Sequence, residues 1–180
     1  MREVASKRSQ TIPATLEVVA GEEQIARVER TVDQLLEEME RLPAEVLYRE
    51  PKPGEWPVMS ILAHVAELLP YWAHEAANLA QSQNGRFGRA LDDPRRIGAI
   101  EQHGHDSLES IVPSVRQALK ECVAVLKSIP DQGWTVRGSH PARGEMSVEQ
   151  IVNAFVVNHA EEHATQIQAT LKTLQSSQVP

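Results

Sequence analysis

Two histidines one helical turn apart mark where this chain could do chemistry. In the stretch from Ser147 to Gln168, His159-Ala160-Glu161-Glu162-His163 sets two imidazoles at i and i+4. That spacing lets two ring nitrogens of one helix converge on a single ion, as in the helical His pairs of zinc enzymes. Ile151, Val152, Phe155, His159, His163, Gln166 and Ile167 recur at steps of three and four, so a helix gathers them on one inward stripe. A buried imidazole without a partner costs roughly 1–3 kcal/mol, and two adjacent ones compound the cost. A metal ion would supply the partners; so would hydrogen bonds or water, if these are ordinary core histidines.

A third inward histidine stands on a different helix. Val58, Ile61, His64, Val65, Leu68 and Trp72 form its stripe, with His64 three residues after Ile61 and four before Leu68. Glu67, one turn beyond, has the reach to orient the other nitrogen of His64 or to act as a base; a solvated helix-face Glu is the alternative. Trp56, Trp72, Phe155 and Gln166 are candidates for shaping a cavity and could equally be packing. Of the other histidines, His74 falls off the face of His64, His103 and His105 bracket Gly104 in a loop or cap, and His140 lies in the loop before the last helix. Cys122 sits in a heptad seam and reads as a small buried hydrophobe. Arg86, Arg89, Arg95 and Arg96 read as a solvated loop cluster, with contact to an anionic ligand as the lesser alternative.

Four amphipathic helices must position these groups. The first carries Ile25, Val28, Val32, Leu35, Met39 and Leu42 until Pro43 stops it; the second opens at Trp56-Pro57; the third runs Leu108, Val112, Val115, Leu119, Cys122, Leu126, Ile129; the fourth starts at Ser147, with Gln150 completing a capping box. The connections 81–104 and 130–145 are long and rich in Gly and Pro. With no alternating strand pattern, the fold expected is an all-α four-helix bundle, residues 21–175, behind an N-terminal tail, residues 1–20.

The chain has 180 residues, enough for one domain with a real core, and a formal net charge of -7. No basic stripe with interleaved aromatics is present, so nucleic acid is not expected as a partner. No apolar run reaches membrane-spanning length, and a single Cys offers no internal disulfide, which points to a cytoplasmic protein in a reducing compartment.

Gly54-Glu55-Trp56, then Ile61-Leu62-Ala63-His64, then Asn158-His159-Ala160-Glu161-Glu162-His163 with Gln166-Ile167, resembles the DinB-like (DinB/YfiT-type) superfamily over roughly residues 20–175. The resemblance implies a bundle of up-down-down-up connectivity, a homodimer, and His64, His159 and His163 as ligands of one divalent ion, nickel or zinc first, with iron or manganese as further candidates. Relatives of this kind include transferases and isomerases that use low-molecular-weight thiols such as bacillithiol or mycothiol, and metal-dependent hydrolases. Three neutral ligands leave positions open on an ion and favour an anionic further ligand, the arrangement of a catalytic site. A bound thiol would make a transferase and a bound water a hydrolase, each acting on a small molecule. The alternative from another class is a metal- or ligand-binding bundle without turnover, serving stress or sensing.

Overall fold

The computed structural model describes residues 20–82, 85–90 and 92–176, so the expected tail lies outside the described residues except for Ala20, which packs on the core. Helix α1, Glu22–Met39, begins after Gly21, whose φ of 85° and near contact with the Trp134 ring leave no room for a side chain. Its stripe Ile25, Val28, Val32, Leu35, Leu36 and Met39 is buried as its period demands. A short turn of helix, α2 (Ala44–Leu47), follows Pro43. Helix α3, Val58–Gln81, starts one residue after Pro57, which caps it rather than occupying its first turn.

The first long connection holds more structure than its composition suggests. Asp93 accepts hydrogen bonds from the backbone N–H groups of Arg95 and Arg96 and starts α4, Pro94–His103, a ten-residue helix with no buried residue. Helix α5, Leu108–Lys127, buries the expected seam, including Cys122.

The second connection corrects the expectation of no strands. After a 3₁₀ turn, Asp131–Thr135, strands β1 (Arg137–His140) and β2 (Gly144–Ser147) pair antiparallel, Arg137 opposite Ser147 and His140 opposite Gly144. Strands of four residues in a Gly-containing sequence are too short to show a period of two. The hairpin is stitched to the first connection by Phe87 N–H to Ser139 O (3.3 Å) and Ser139 N–H to Gly85 O (3.0 Å).

Ser147 and Gln150 form the capping box that opens the last long helix. That helix runs as α6 (Val148–Ile151), a π-helical turn (Val152–Val157) and α7 (Asn158–Ser176). The wide turn advances the helix phase just ahead of His159, a shift that counting in steps of three and four does not reveal.

Only one pair of successive long helices, α3 and α5, packs side by side in the bundle. Helix α1 packs against α5 and α7, and α3 against the same two, so α1 and α3 face each other across the diagonal. Diagonal placement requires connections that cross the bundle ends: residues 40–57 carry the chain from α1 to α3 and residues 128–147 from α5 to the last helix, whereas residues 82–107 join the packed neighbours α3 and α5. On the facing surfaces of α3 and the last helix, Trp72 meets Phe155 while His64 meets His159 and His163, so the two helices run antiparallel. No helix among the described residues is long and apolar enough to cross a membrane.

Candidate metal centre

His64 from α3 and His159 and His163 from α7 come together: one ring nitrogen from each lies within 4.8 Å of the others. Ring centroids are 4.9 Å apart for His64 and His163, 5.5 Å for His64 and His159, and 4.7 Å for His159 and His163. His64 is 1% exposed and His163 8%, whereas His159 is partly open to solvent. Among the described residues, no other three His, Cys, Asp or Glu side chains approach so closely with ligand geometry.

The hydrogen-bond inventory tests whether these residues fit a metal. Both nitrogens of His64 and Nε2 of His163 are buried without a partner, a costly arrangement shared among the described side chains only by Trp134 Nε1, which lies away from the triad beside Gly21. Nδ1 of His163 lies 2.9 Å from Gln166 Oε1. An amide oxygen only accepts, so Nδ1 carries the hydrogen and Nε2 keeps its lone pair toward His64. One nitrogen from each of three histidines within 4.8 Å, with unpartnered buried nitrogens on two of the rings, fits a divalent ion of borderline character.

Electrostatics keep the donors in ligand form. Burial, then the neighbouring His163 and Arg96, lowers His64 from 6.5 to about 2. Burial and then His163, Arg96, Arg143 and Arg89 lower His159 to about 4. His163 is lowered by burial against opposing contributions from Gln166 and Glu162. All three imidazoles are therefore neutral near pH 7, the state in which they bind metal.

Glu67, the candidate base, is occupied elsewhere. Its two oxygens accept from Arg89 Nη1 and Nη2 at 2.5 and 2.6 Å, while Oε2 is 3.8 Å from His64 Nδ1, beyond hydrogen-bond range. The pair is enclosed, with side chains 9% (Arg89) and 16% (Glu67) exposed, and the Arg89 guanidinium lies 3.9 Å over the Tyr71 ring. The arginine cluster read as a solvated loop is corrected at this position, because a bidentate carboxylate and an aromatic face draw Arg89 inward. Sequence reasoning missed the pairing, since 22 positions separate the partners.

Aromatic rings bracket the triad. Trp56 stands 5.7 Å from His64 and carries the Arg96 guanidinium 5.5 Å from its ring. Phe155, one turn before His159, stacks on Trp72 at 4.0 Å and lies 4.7 Å under the Arg143 guanidinium. His140 is buried on the same stack, 5.3 Å from Phe155, with Nδ1 accepting from the N–H groups of Ala142 and Arg143. A cavity of about 750 Å³ lined by Glu75, Gly88, Ser139, His140 and Ala142 opens beside it, and one of about 480 Å³ is lined by Trp56 and Gln166 at the other end. Nothing in the pattern around Arg143, within a Pro-Gly turn, signalled this placement.

The remaining candidates stay apart from the triad. His74 pairs with Glu121 at 2.9 Å and His103 with Asp106 at 2.8 Å, both at the surface. Burial, then Glu121, pushes the Cys122 thiol up to about 12.

Comparison with known proteins agrees with this architecture. The model of the DinB superfamily matches residues 27–167, and the chain belongs to that family. YfiT from Bacillus subtilis, reported as a probable metal-dependent hydrolase with an unusual four-helix bundle topology, is similar at 15% identity and a TM-score of 0.73, with 94% of each chain covered. The mycothiol-dependent maleylpyruvate isomerase is similar at 11% identity and a TM-score of 0.58, over 85% of this chain and 60% of that one; a substituted form of the same enzyme gives 9% and 0.60. No curated protein sequence matches.

Proposed function

We propose that this DinB-superfamily protein is a divalent-metal enzyme that uses His64, His159 and His163 as ligands to activate a low-molecular-weight thiol for transfer to, or isomerisation of, a small electrophilic substrate. The observation that carries the reading is the set of orphaned buried nitrogens, two on His64 and one on His163, in rings that with His159 bring one nitrogen each within 4.8 Å of one another. When bound, a divalent ion lowers the pKa of a thiol or water that reaches it toward neutrality. Nickel and zinc suit the all-nitrogen donor set best, with iron or manganese as further candidates.

The surrounding residues favour thiol over water. Hydrolysis calls for a base beside the attacking water, and both oxygens of Glu67 are held by Arg89. A thiol needs only to lose its proton to become a strong nucleophile. In this reading Glu67 acts through Arg89 as a positioning residue. Trp56, Trp72 and Phe155 wall the site against water, Gln166 fixes the tautomer of His163, and His159 faces the opening. The proposal extends to a cytoplasmic homodimer, as the resemblance implies, which light scattering and cell fractionation would test.

Elemental analysis of untagged protein is the direct test, with His64→Ala, His159→Ala and His163→Ala beside the wild type. One ion per chain, lost in the variants, is expected. The cobalt-loaded protein should then show a thiolate-to-cobalt absorption band on adding 2-mercaptoethanol and should conjugate thiols to 1-chloro-2,4-dinitrobenzene. Metal uptake without either response would leave the non-catalytic metal-binding module; no uptake would overturn the reading.

A further inference from the structure

A second group of polar side chains meets beyond the Trp72–Phe155 stack, which lies two turns along α3 from His64. There Glu75, Arg86 and His140 line the cavity of about 750 Å³, and none of them belongs to the histidine triad. His140 is 7% exposed, and its Nδ1 accepts from the N–H groups of Ala142 and Arg143. A ring nitrogen that accepts carries no hydrogen, so the neutral imidazole has its N–H at Nε2. Burial and then Arg143 favour that neutral form, against an opposing effect of Glu75.

The Nε2–H donor of His140 meets no acceptor among the described residues, yet it is not sealed in the core as the nitrogens of His64 are. Gly88 keeps it uncovered. With φ at 87°, a Cβ on Gly88 would stand 2.7 Å from Nε2 and 2.5 Å from Cδ2 of the ring. The same glycine fixes the acid, since its N–H donates to one carboxylate oxygen of Glu75. Neither Glu75 nor Arg86 forms an ion pair, with the other or with any described residue. Opposite charges that line one cavity without pairing are complementary to a ligand that carries both. Water suffices for the exposed Arg86, whereas a nearly buried N–H held open by a glycine calls for an acceptor on a ligand.

We propose that this cavity binds a zwitterion of the α-amino acid type, with the ammonium group on Glu75 and the carboxylate on His140 Nε2–H and Arg86. The site is separate from the metal centre and does not depend on the function proposed for it.

The test is an NMR titration of the protein with each of the common L-amino acids, and then with the deamino and decarboxy analogues of the tightest binder. The N–H signals of Gly88, Ala142 and Arg143 report directly, because they donate to Glu75 and His140. These signals should move saturably, and each analogue, lacking one charged group, should bind at least about tenfold more weakly. Glu75→Gln keeps an acceptor for Gly88, and His140→Asn keeps one for the turn at Ala142; each should weaken binding of the amino acid by about tenfold. Arg86→Gln, at an exposed position outside these hydrogen bonds, should weaken binding of the amino acid and of the deamino analogue but not of the decarboxy analogue, and it decides the matter if the other two variants do not fold. Signals unmoved by every amino acid, an analogue that binds as tightly as its parent, or undiminished affinity in the folded variants overturns the inference. The readout does not involve the triad, so a failure here leaves the metal reading standing, and a failure of metal uptake leaves this one.

Discussion

Gln166 Oε1 sits 2.9 Å from Nδ1 of His163, and this one contact determines that Nε2 of His163 faces His64 as an acceptor. Gln166 itself is exposed, and its amide reaches back one helical turn to orient a buried ring. Gln166→Leu is therefore expected to weaken metal binding by about 10–100-fold, the usual effect of losing a partner of a metal-ligating His. Thermal stability of the metal-free protein should change little. Competition titration against a chromophoric chelator measures the first and calorimetry the second; unchanged affinity would refute the role assigned to Gln166.

His64 carries two unpartnered buried nitrogens, so in the metal-free state it is a liability. His64→Leu, of similar size, should abolish high-affinity metal binding yet stabilise the metal-free protein by about 1–3 kcal/mol. For a domain of this size that is a rise in Tm of about 2–4 °C per kcal/mol. A metal-free variant less stable than metal-free wild type would show that His64 has a partner in the folded protein.

Acidification should destabilise the metal-free protein. Folded His64 and His159 titrate near 2 and 4, whereas in the unfolded chain both titrate near 6.5. Below 6.5 the unfolded state binds more protons than the folded state, so stability is fully present above that pH and falls as pH drops toward 4. The slope has a ceiling of about 1.4 kcal/mol per pH unit for each histidine. Urea denaturation between pH 7.5 and 4.5 measures it, and replacing all three histidines by Leu should flatten it; an equal slope in that variant would assign the effect to other groups.

Removing one member of the Glu67–Arg89 pair should cost more than removing both. Arg89→Met leaves a carboxylate enclosed without its bidentate partner, a loss of about 3–5 kcal/mol. Adding Glu67→Gln should recover a large part of it. Additive losses in the double-mutant cycle would show that the two side chains do not interact.

Cys122 should be inert in the folded protein. Its thiol, pushed up to about 12 by burial and Glu121, has almost no thiolate near pH 8. An aromatic disulfide reagent should label it fully in urea and very slowly in buffer; rapid native labelling would mean that the α5 seam opens.

Periodicity is local, and what is local could be read directly. The four apolar stripes, the Ser147–Gln150 cap, the i,i+4 histidines and the inward phase of His64 follow from a 3.6-residue repeat that needs no knowledge of the fold. The sequence by itself therefore determined the bundle and the three histidines that meet in it. Their convergence required α3 and α7 to be neighbours while α1 and α3 lie diagonal, a choice made by how whole helix surfaces pack. The tautomer of His163, the pairing of Glu67 with Arg89 rather than with His64, and the placement of Arg143 over Phe155 were likewise decided only in three dimensions. Each depends on side chains meeting at the end of long rotamers, several within connections whose composition announces flexibility but not direction. The hairpin and the π-helical turn were hidden for the same reason, being too short to impose a period of their own.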